Sequence, residues 1–130
     1  GLSNQTWTTM VMDYEEWDSA GSFSSTTFTP NVAGFYQING QVSVVDTSGA
    51  ITLYSGIFKN GQMYKIGNQW AWGTSGAAQG RSCCNTIVYL NGAGDNITIC
   101  AYINGYGGSI YFDGGTGYDC WASAAFVRIS

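Results

Sequence analysis

The sequence predicts an all-β sandwich or jelly roll, and three observations lead there. Helical periodicity is absent along the chain. Runs rich in β-branched and aromatic residues recur at short intervals, and Asn-Gly pairs and other glycines punctuate them. At 130 residues the chain is of single-domain length, enough to bury roughly two-thirds of its unfolded surface. Hydrophobic residues make up 45% and aromatics 15%, so burial can offset the entropy of ordering.

The expected strands are Thr6–Met12, Ser24–Thr29, Gly34–Val45, Ile51–Lys59, Cys84–Leu90, Asn96–Ile103, Ser109–Phe112 and Cys120–Ile129. Asn60-Gly61 and Asn91-Gly92 separate such runs, and Asn104-Gly105 ends one, because this dipeptide tolerates the positive backbone angles of tight turns. Asn39-Gly40 is different. Apolar residues at 36, 38, 42 and 44 keep one phase across it. One long strand is therefore expected, with a glycine where a neighbouring chain comes close. "NQWAWGTSGAAQGRS", Asn68 to Ser82, shows no clear pattern and reads as a long loop.

Charge is scarce. Only 9% of residues are charged, against about 25% in ordinary domains. The surface must be built from Ser, Thr, Asn, Gln and Gly, or be hidden between subunits. Four of the eight acids cluster in "DYEEWD", Asp13 to Asp18, while Lys59, Lys65, Arg81 and Arg128 are scattered. No basic stripe exists for phosphates, so nucleic acid is not expected as a partner. No run approaches the ~20 apolar residues of a membrane span, and no membrane partner is expected. The start "GLSNQTWTTM" has no basic or apolar leader character, which fits a chain that was never exported or one already processed.

Histidine is absent, which excludes Ser-His-Asp and Cys-His catalysis. Glu15 and Glu16 are adjacent and would diverge on a strand, so they do not form a facing glycosidase pair. No enzyme activity and no cofactor are expected. Cys83 and Cys84 would point to opposite faces of a strand, and no C-x-x-C spacing occurs, so a zinc site is not expected. The four cysteines read as thiols acting as small hydrophobes. A disulfide from Cys100 or Cys120 to one of the adjacent pair is the alternative. "NGAGD", Asn91 to Asp95, lacks the lysine of a phosphate loop and reads as a turn.

Several motifs resemble those of the complement C1q-like and tumour-necrosis-factor-like family. In "FTPNVAGFYQING", Phe28, Pro30, Gly34 and Tyr36 match, with Ile38 where an aromatic is usual. "GIFKNGQ" matches through Lys59, Asn60 and Gly61, and "VYLNGAGDNITI" through Leu90, Gly94, Asp95 and Ile97. "CWASAAFVRIS" is an approximate match, with Trp121 in place of a phenylalanine and Ser123 in place of a glycine. The resemblance runs from Phe28 to the C-terminus. It implies a homotrimeric jelly roll of about ten antiparallel strands with a structural or recognition role. On this reading residues 19–130 are the jelly-roll domain, and residues 1–18 are an N-terminal strand or attachment segment of the same domain.

The resemblance makes Tyr36, Ile38, Tyr89, Ile99, Tyr102, Trp121 and Phe126 candidates for the trimer interface or core. Stand-alone heads of this kind resemble proteins on tailed-bacteriophage capsids or fibre tips. The expected place is then a virion surface, or else an extracellular one, and the expected partners are further copies of the chain and viral capsid or fibre proteins. Trp7, Tyr14 and Trp17 are candidates for contact with an underlying shell. The alternative is recognition of a receptor or surface glycan through Trp70 and Trp72, which alternate in "NQWAWG" and would face the same way. Asp113 and Asp119 lie in "DGGTGYD", where some relatives hold calcium. Their spacing lacks a dense oxygen cluster, and no metal is expected.

Overall fold

The computed structural model describes residues 1–12, 20–46, 51–73, 78–105, 110–113 and 119–129. They form an all-β sandwich of two antiparallel sheets with eight strands among the described residues. These are β1 (Trp7–Thr9), β2 (Gly34–Asp46), β3 (Ile51–Lys59), β4 (Gln62–Trp72), β5 (Ala78–Leu90), β6 (Ile97–Gly105), β7 (Ile110–Phe112) and β8 (Trp121–Arg128). The first sheet has the order β1-β6-β3-β4. In the second, β2 pairs with β5 along one side and with β7 and β8 along the other.

The alternation read from the sequence places the core. Tyr36, Ile38, Val42 and Val44 of β2 and Cys84, Val88 and Leu90 of β5 point inward from the second sheet. Ile51, Leu53 and Ile57 of β3 meet them from the first sheet, with Ile97, Ile99, Ala101 and Ile103 of β6. These buried side chains form one cluster, to which Met10 and Ile110 are joined. Apolar burial at about 25 cal/mol per Å² is the main force holding the layers together.

β2 is unbroken across Asn39-Gly40, as its phase predicts. A β-carbon built on Gly40 would lie 3.0 Å from Ile99 Cδ1 of the facing sheet, so the glycine marks the close approach. Asn60 and Gly61 both have positive φ, 52° and 77°, in the tight hairpin between β3 and β4. That pairing of angles matches a type I′ turn.

Three expectations are corrected. Residues 62–72, where the sequence predicts no element over 62–67 and a loop over 68–72, form β4, and β5 begins at Ala78 rather than Cys84. β4 is the edge of its sheet and is exposed along most of its length, so it has no apolar alternation to read. Residues 24–29 form no strand. Ser24 and Thr27 exchange backbone hydrogen bonds of 2.9 and 3.2 Å in a tight reversal, leaving single bridges at Phe28. β1 is short, covering Trp7–Thr9 of the expected Thr6–Met12. No helix among the described residues is long and apolar enough to cross a membrane.

Candidate functional site

Residues paired across an antiparallel ladder point to the same face, so the register of β5, β2 and β8 defines the outer face of the second sheet. Tyr89, Phe35 and Arg128 form one row, and Ile87, Gln37 and Ala125 the next. Asn85, Asn39 and Ser123 follow, then Cys83, Gln41 and Trp121. The first row is a ladder of rings and charge. Phe35 and Tyr89 meet edge to face with centroids 5.4 Å apart, and the Arg128 guanidinium stands 5.2 Å from the Phe35 ring centre. A bulge at Val127, opposite the Phe35/Tyr36 step, brings Arg128 into line with Phe35.

This face holds exposed apolar surface. Ile87 is 53% exposed, Tyr89 45% and Trp121 37%. Among the described residues of this face charge lies at its ends, on Arg128 and on the Arg81–Asp119 ion pair. Tyr111 of β7 extends the ring surface beyond that pair.

The candidate residues separate into three places. Tyr36, Ile38 and Ile99 are buried in the core of the sandwich. Tyr89 and Trp121 lie on the outer face just described, and Phe126 stands at its border, half-exposed and edge-on to Tyr36 at 5.4 Å. Tyr102 is on the outer side of the first sheet. There Trp7, Tyr102, Tyr54 and Phe58 form a second ring cluster, with Trp7 centred 5.3 Å from Tyr102 and 5.4 Å from Phe58. Trp7 fits because Gly56 has no side chain: a β-carbon there would lie 2.8 Å from its ring. Tyr14 and Trp17 lie outside the described residues.

Trp70 and Trp72 share a side of β4, as their alternation predicts. Their rings are parallel to within 4° with centroids 6.2 Å apart. They are not equivalent. Trp70 is half-buried over the bare backbone of Gly80 in β5, and Trp72 is 42% exposed. Below them β4 leans on β5 through a polar junction that sequence reasoning missed. The backbone N–H of Ser55 donates to Ser82 Oγ at 2.9 Å, and the two hydroxyls lie 2.7 Å apart. Ser82 Oγ donates to the Asn68 carbonyl at 2.5 Å, and the Cys83 N–H donates to Asn68 Oδ1 at 2.6 Å. Ser55 and Ser82 are fully buried, and this network satisfies them.

Two motifs that were far apart in the sequence meet at the Asp95 carboxylate. It accepts from the Asn60 amide at 2.8 Å and from the Asn91 N–H at 3.0 Å, and it pairs with Lys59 Nζ at 3.4 Å. The Asn60 amide, with help from the Asn91 N–H and Lys59, lowers the Asp95 pKa from its ordinary 3.8, against a smaller desolvation effect. A depressed carboxylate pKa stabilises the fold above the unfolded-state value, and that contribution is lost as pH falls through the folded one. Stability should therefore decline on acidification below pH ~4. Asp95→Ala should flatten that decline in urea titrations run at several pH values. An unchanged slope would remove Asp95 from the account.

Asp113 and Asp119 are engaged by protein donors: Gln79 Nε2 donates to Asp113, and Arg81 pairs with Asp119. Among the described residues no three His, Cys, Asp or Glu side chains converge. The four cysteines are thiols. Cys83 and Cys84 point to opposite faces, as strand geometry requires. Cys83 is exposed on the outer face beside Gln41, and Cys84 is buried. Burial pushes the Cys84 thiol up to about 11 and also raises Cys120. At neutral pH the Cys84 thiolate is then ~100-fold scarcer than in a thiol of ordinary pKa. Iodoacetamide should leave Cys84 unmodified until the chain unfolds, as peptide mapping would show, whereas labelling of Cys84 in the native state would contradict its placement.

No protein-family model matches the chain, and no curated protein is similar to it in sequence.

Proposed function

We propose that this protein is a non-enzymatic structural component of a virion. On this reading it is a homotrimeric jelly roll that decorates a bacteriophage capsid or forms a fibre tip. The observation that carries self-assembly is the outer face of the second sheet. Ile87, Tyr89 and Trp121 stand on a nearly charge-free surface, and such contiguous patches mark contact sites. Three copies meeting on that face would hide it by symmetry alone. Support for the jelly-roll reading comes from the chain's repeated crossing between sheets, which sets β6 between β1 and β3 and β2 between β5 and β8. The residues of the family resemblance also come together. Phe28 packs on Tyr36 at 5.4 Å, the Tyr36 hydroxyl donates to the Val32 carbonyl at 2.8 Å, and Lys59 and Asn60 meet Asp95. The virion assignment itself rests on the resemblance.

Native mass spectrometry tests the assembly: three 13.9 kDa chains are expected. In the trimer Cys83 should resist alkylation, and it should become reactive on dissociation. A stable monomer with a reactive Cys83 would overturn the proposal. Electron microscopy of virions carrying the protein then distinguishes shell from fibre.

A second reading, receptor or glycan recognition, is favoured by the parallel Trp70 and Trp72 rings, because flat aromatic surfaces stack well on sugar faces. Trp72→Ala is the clean variant, since Trp70 is committed to Gly80. On this reading binding to a glycan array should fall at least ~10-fold, while the thermal midpoint stays near that of the parent. Array binding that survives the substitution, or none in the parent, would reject it.

A further inference from the structure

The chain contains four Asn-Gly pairs, and their surroundings differ in a way that sorts them chemically. Asn-Gly is prone to an internal reaction because the unhindered glycine nitrogen can reach the asparagine side-chain carbon. The reaction needs that nitrogen free of other hydrogen bonds and a backbone outside a ladder. Negative charge develops on Oδ1 as the tetrahedral intermediate forms, so donors aimed at Oδ1 assist it.

Three pairs are restrained. Asn39-Gly40 lies in the middle of β2, paired with β5 on one side and β8 on the other. Asn60-Gly61 lies in a turn with one donor on Oδ1, the Asn96 N–H at 2.9 Å, but its leaving nitrogen is held, because Nδ2 donates to Asp95 at 2.8 Å. Asn104-Gly105 is within the β6 ladder, and the Gly105 N–H is already donated to Asn4 Oδ1 at 3.0 Å.

Asn91-Gly92 carries none of these restraints. It lies between β5 and β6, outside any ladder, and Asn91 is exposed. Among the described residues neither the Gly92 N–H nor Asn91 Nδ2 has a hydrogen-bond partner. Two backbone donors converge on Asn91 Oδ1, the Ala93 N–H at 2.8 Å and the Asp95 N–H at 3.1 Å. The nucleophile is free, the leaving amide is free, and the oxygen that gains charge is already solvated by the chain.

We propose that Asn91 is a self-modification site. The Gly92 nitrogen bonds to Asn91 Cγ, and the side-chain nitrogen leaves as ammonia, taking the Gly92 proton. Water then opens the succinimide at either carbonyl to give isoaspartate or aspartate, so the net change is gain of water and loss of ammonia. The product places a second carboxylate beside Asp95, whose partners Lys59 and Asn60 tie this turn to the β3–β4 hairpin. Isoaspartate also lengthens the backbone of the turn joining the two sheets. The modification would weaken that tie progressively as the protein ages.

The test is incubation of the folded protein at mildly alkaline pH in heavy-oxygen water, followed by peptide mapping with fragmentation that separates isoaspartate from aspartate. Label should enter at residue 91 about 10-fold faster than at residues 39, 60 or 104. In urea the four positions should converge. Ala93→Pro removes one donor from Oδ1 and should slow conversion at Asn91; if that variant misfolds, the comparison among the four sites stands alone. Conversion at another Asn-Gly first, or slower conversion of Asn91 in the folded protein than in urea, would overturn the proposal.

Discussion

Gly67→Ala should lower the thermal midpoint by ~10 °C or more, a loss of about 3 kcal/mol. Gly67 lies where edge strand β4 presses against β5. A β-carbon there would sit 2.9 Å from the Cys83 carbonyl carbon, and closer still to its oxygen and to Ser55 Oγ. Neither neighbour can yield cheaply. The Cys83 carbonyl is backbone in the β2–β5 ladder, and Ser55 Oγ is in a fully buried hydrogen-bond network with Ser82. Parting the strands would break the Ser82 hydroxyl's bond to the Asn68 carbonyl and the Cys83 N–H bond to Asn68 Oδ1, each worth about 0.5–1.5 kcal/mol. Against a typical total of 5–15 kcal/mol the expected loss is large. Gly73 is the control, because a β-carbon there meets nothing within 4 Å. Its alanine variant should stay within ~0.5 kcal/mol of the parent. Matching urea midpoints for the two variants would show that the β4–β5 contact is looser than described.

Ile87→Glu should dissociate the proposed trimer while leaving the subunit folded. Ile87 is the most exposed of the apolar residues on the β5 part of the outer face. In an isolated subunit a glutamate there is solvated, so stability should change by less than ~0.5 kcal/mol. In a three-fold assembly the same carboxylate enters the interface three times, each desolvated without a partner. At ~2 kcal/mol or more at each of the three positions the trimer's dissociation constant rises by ~10⁴, and because the midpoint scales as its square root, the midpoint should rise ~10²-fold or more. Ile66→Glu on β4 is the matched control, equally exposed but on the other sheet. Sedimentation of the two variants across a dilution series reads the difference. If Ile66→Glu dissociates the assembly and Ile87→Glu does not, the interface lies elsewhere.

The parts of the fold that were legible are those where one strand carries its own pattern. Residues 36, 38, 42 and 44 announce the inward face of β2, and Ile97, Ile99, Ala101 and Ile103 that of β6. Asn60-Gly61 announces its hairpin because the positive φ angles are demanded locally. What stayed hidden depends on a neighbour distant in sequence. β4 has almost no buried side chains, and the residues that fit it to β5 are Gly67, Asn68, Gly80 and Ser82, which look like loop until the partner strand is known. The candidate face was half legible. Tyr89 and Trp121 were singled out, but Ile87, Phe35 and Arg128 join them only through the β5–β2–β8 register. Tyr102 and Trp7 were assigned separate roles, whereas β1 pairing with β6 brings them into one ring cluster.

The position of β2 also bears on how the chain matures during synthesis. Every described strand that hydrogen-bonds to residues 34–46 is translated later, and the last of them ends at Arg128. A thirteen-residue strand with one apolar face must therefore wait with both edges unsealed until nearly all of the described chain has emerged, a window that invites mispairing with other nascent chains. Once in place it is sealed on both edges, so its amides should be the last to exchange with deuterium and should report the global opening of the molecule rather than any local fraying.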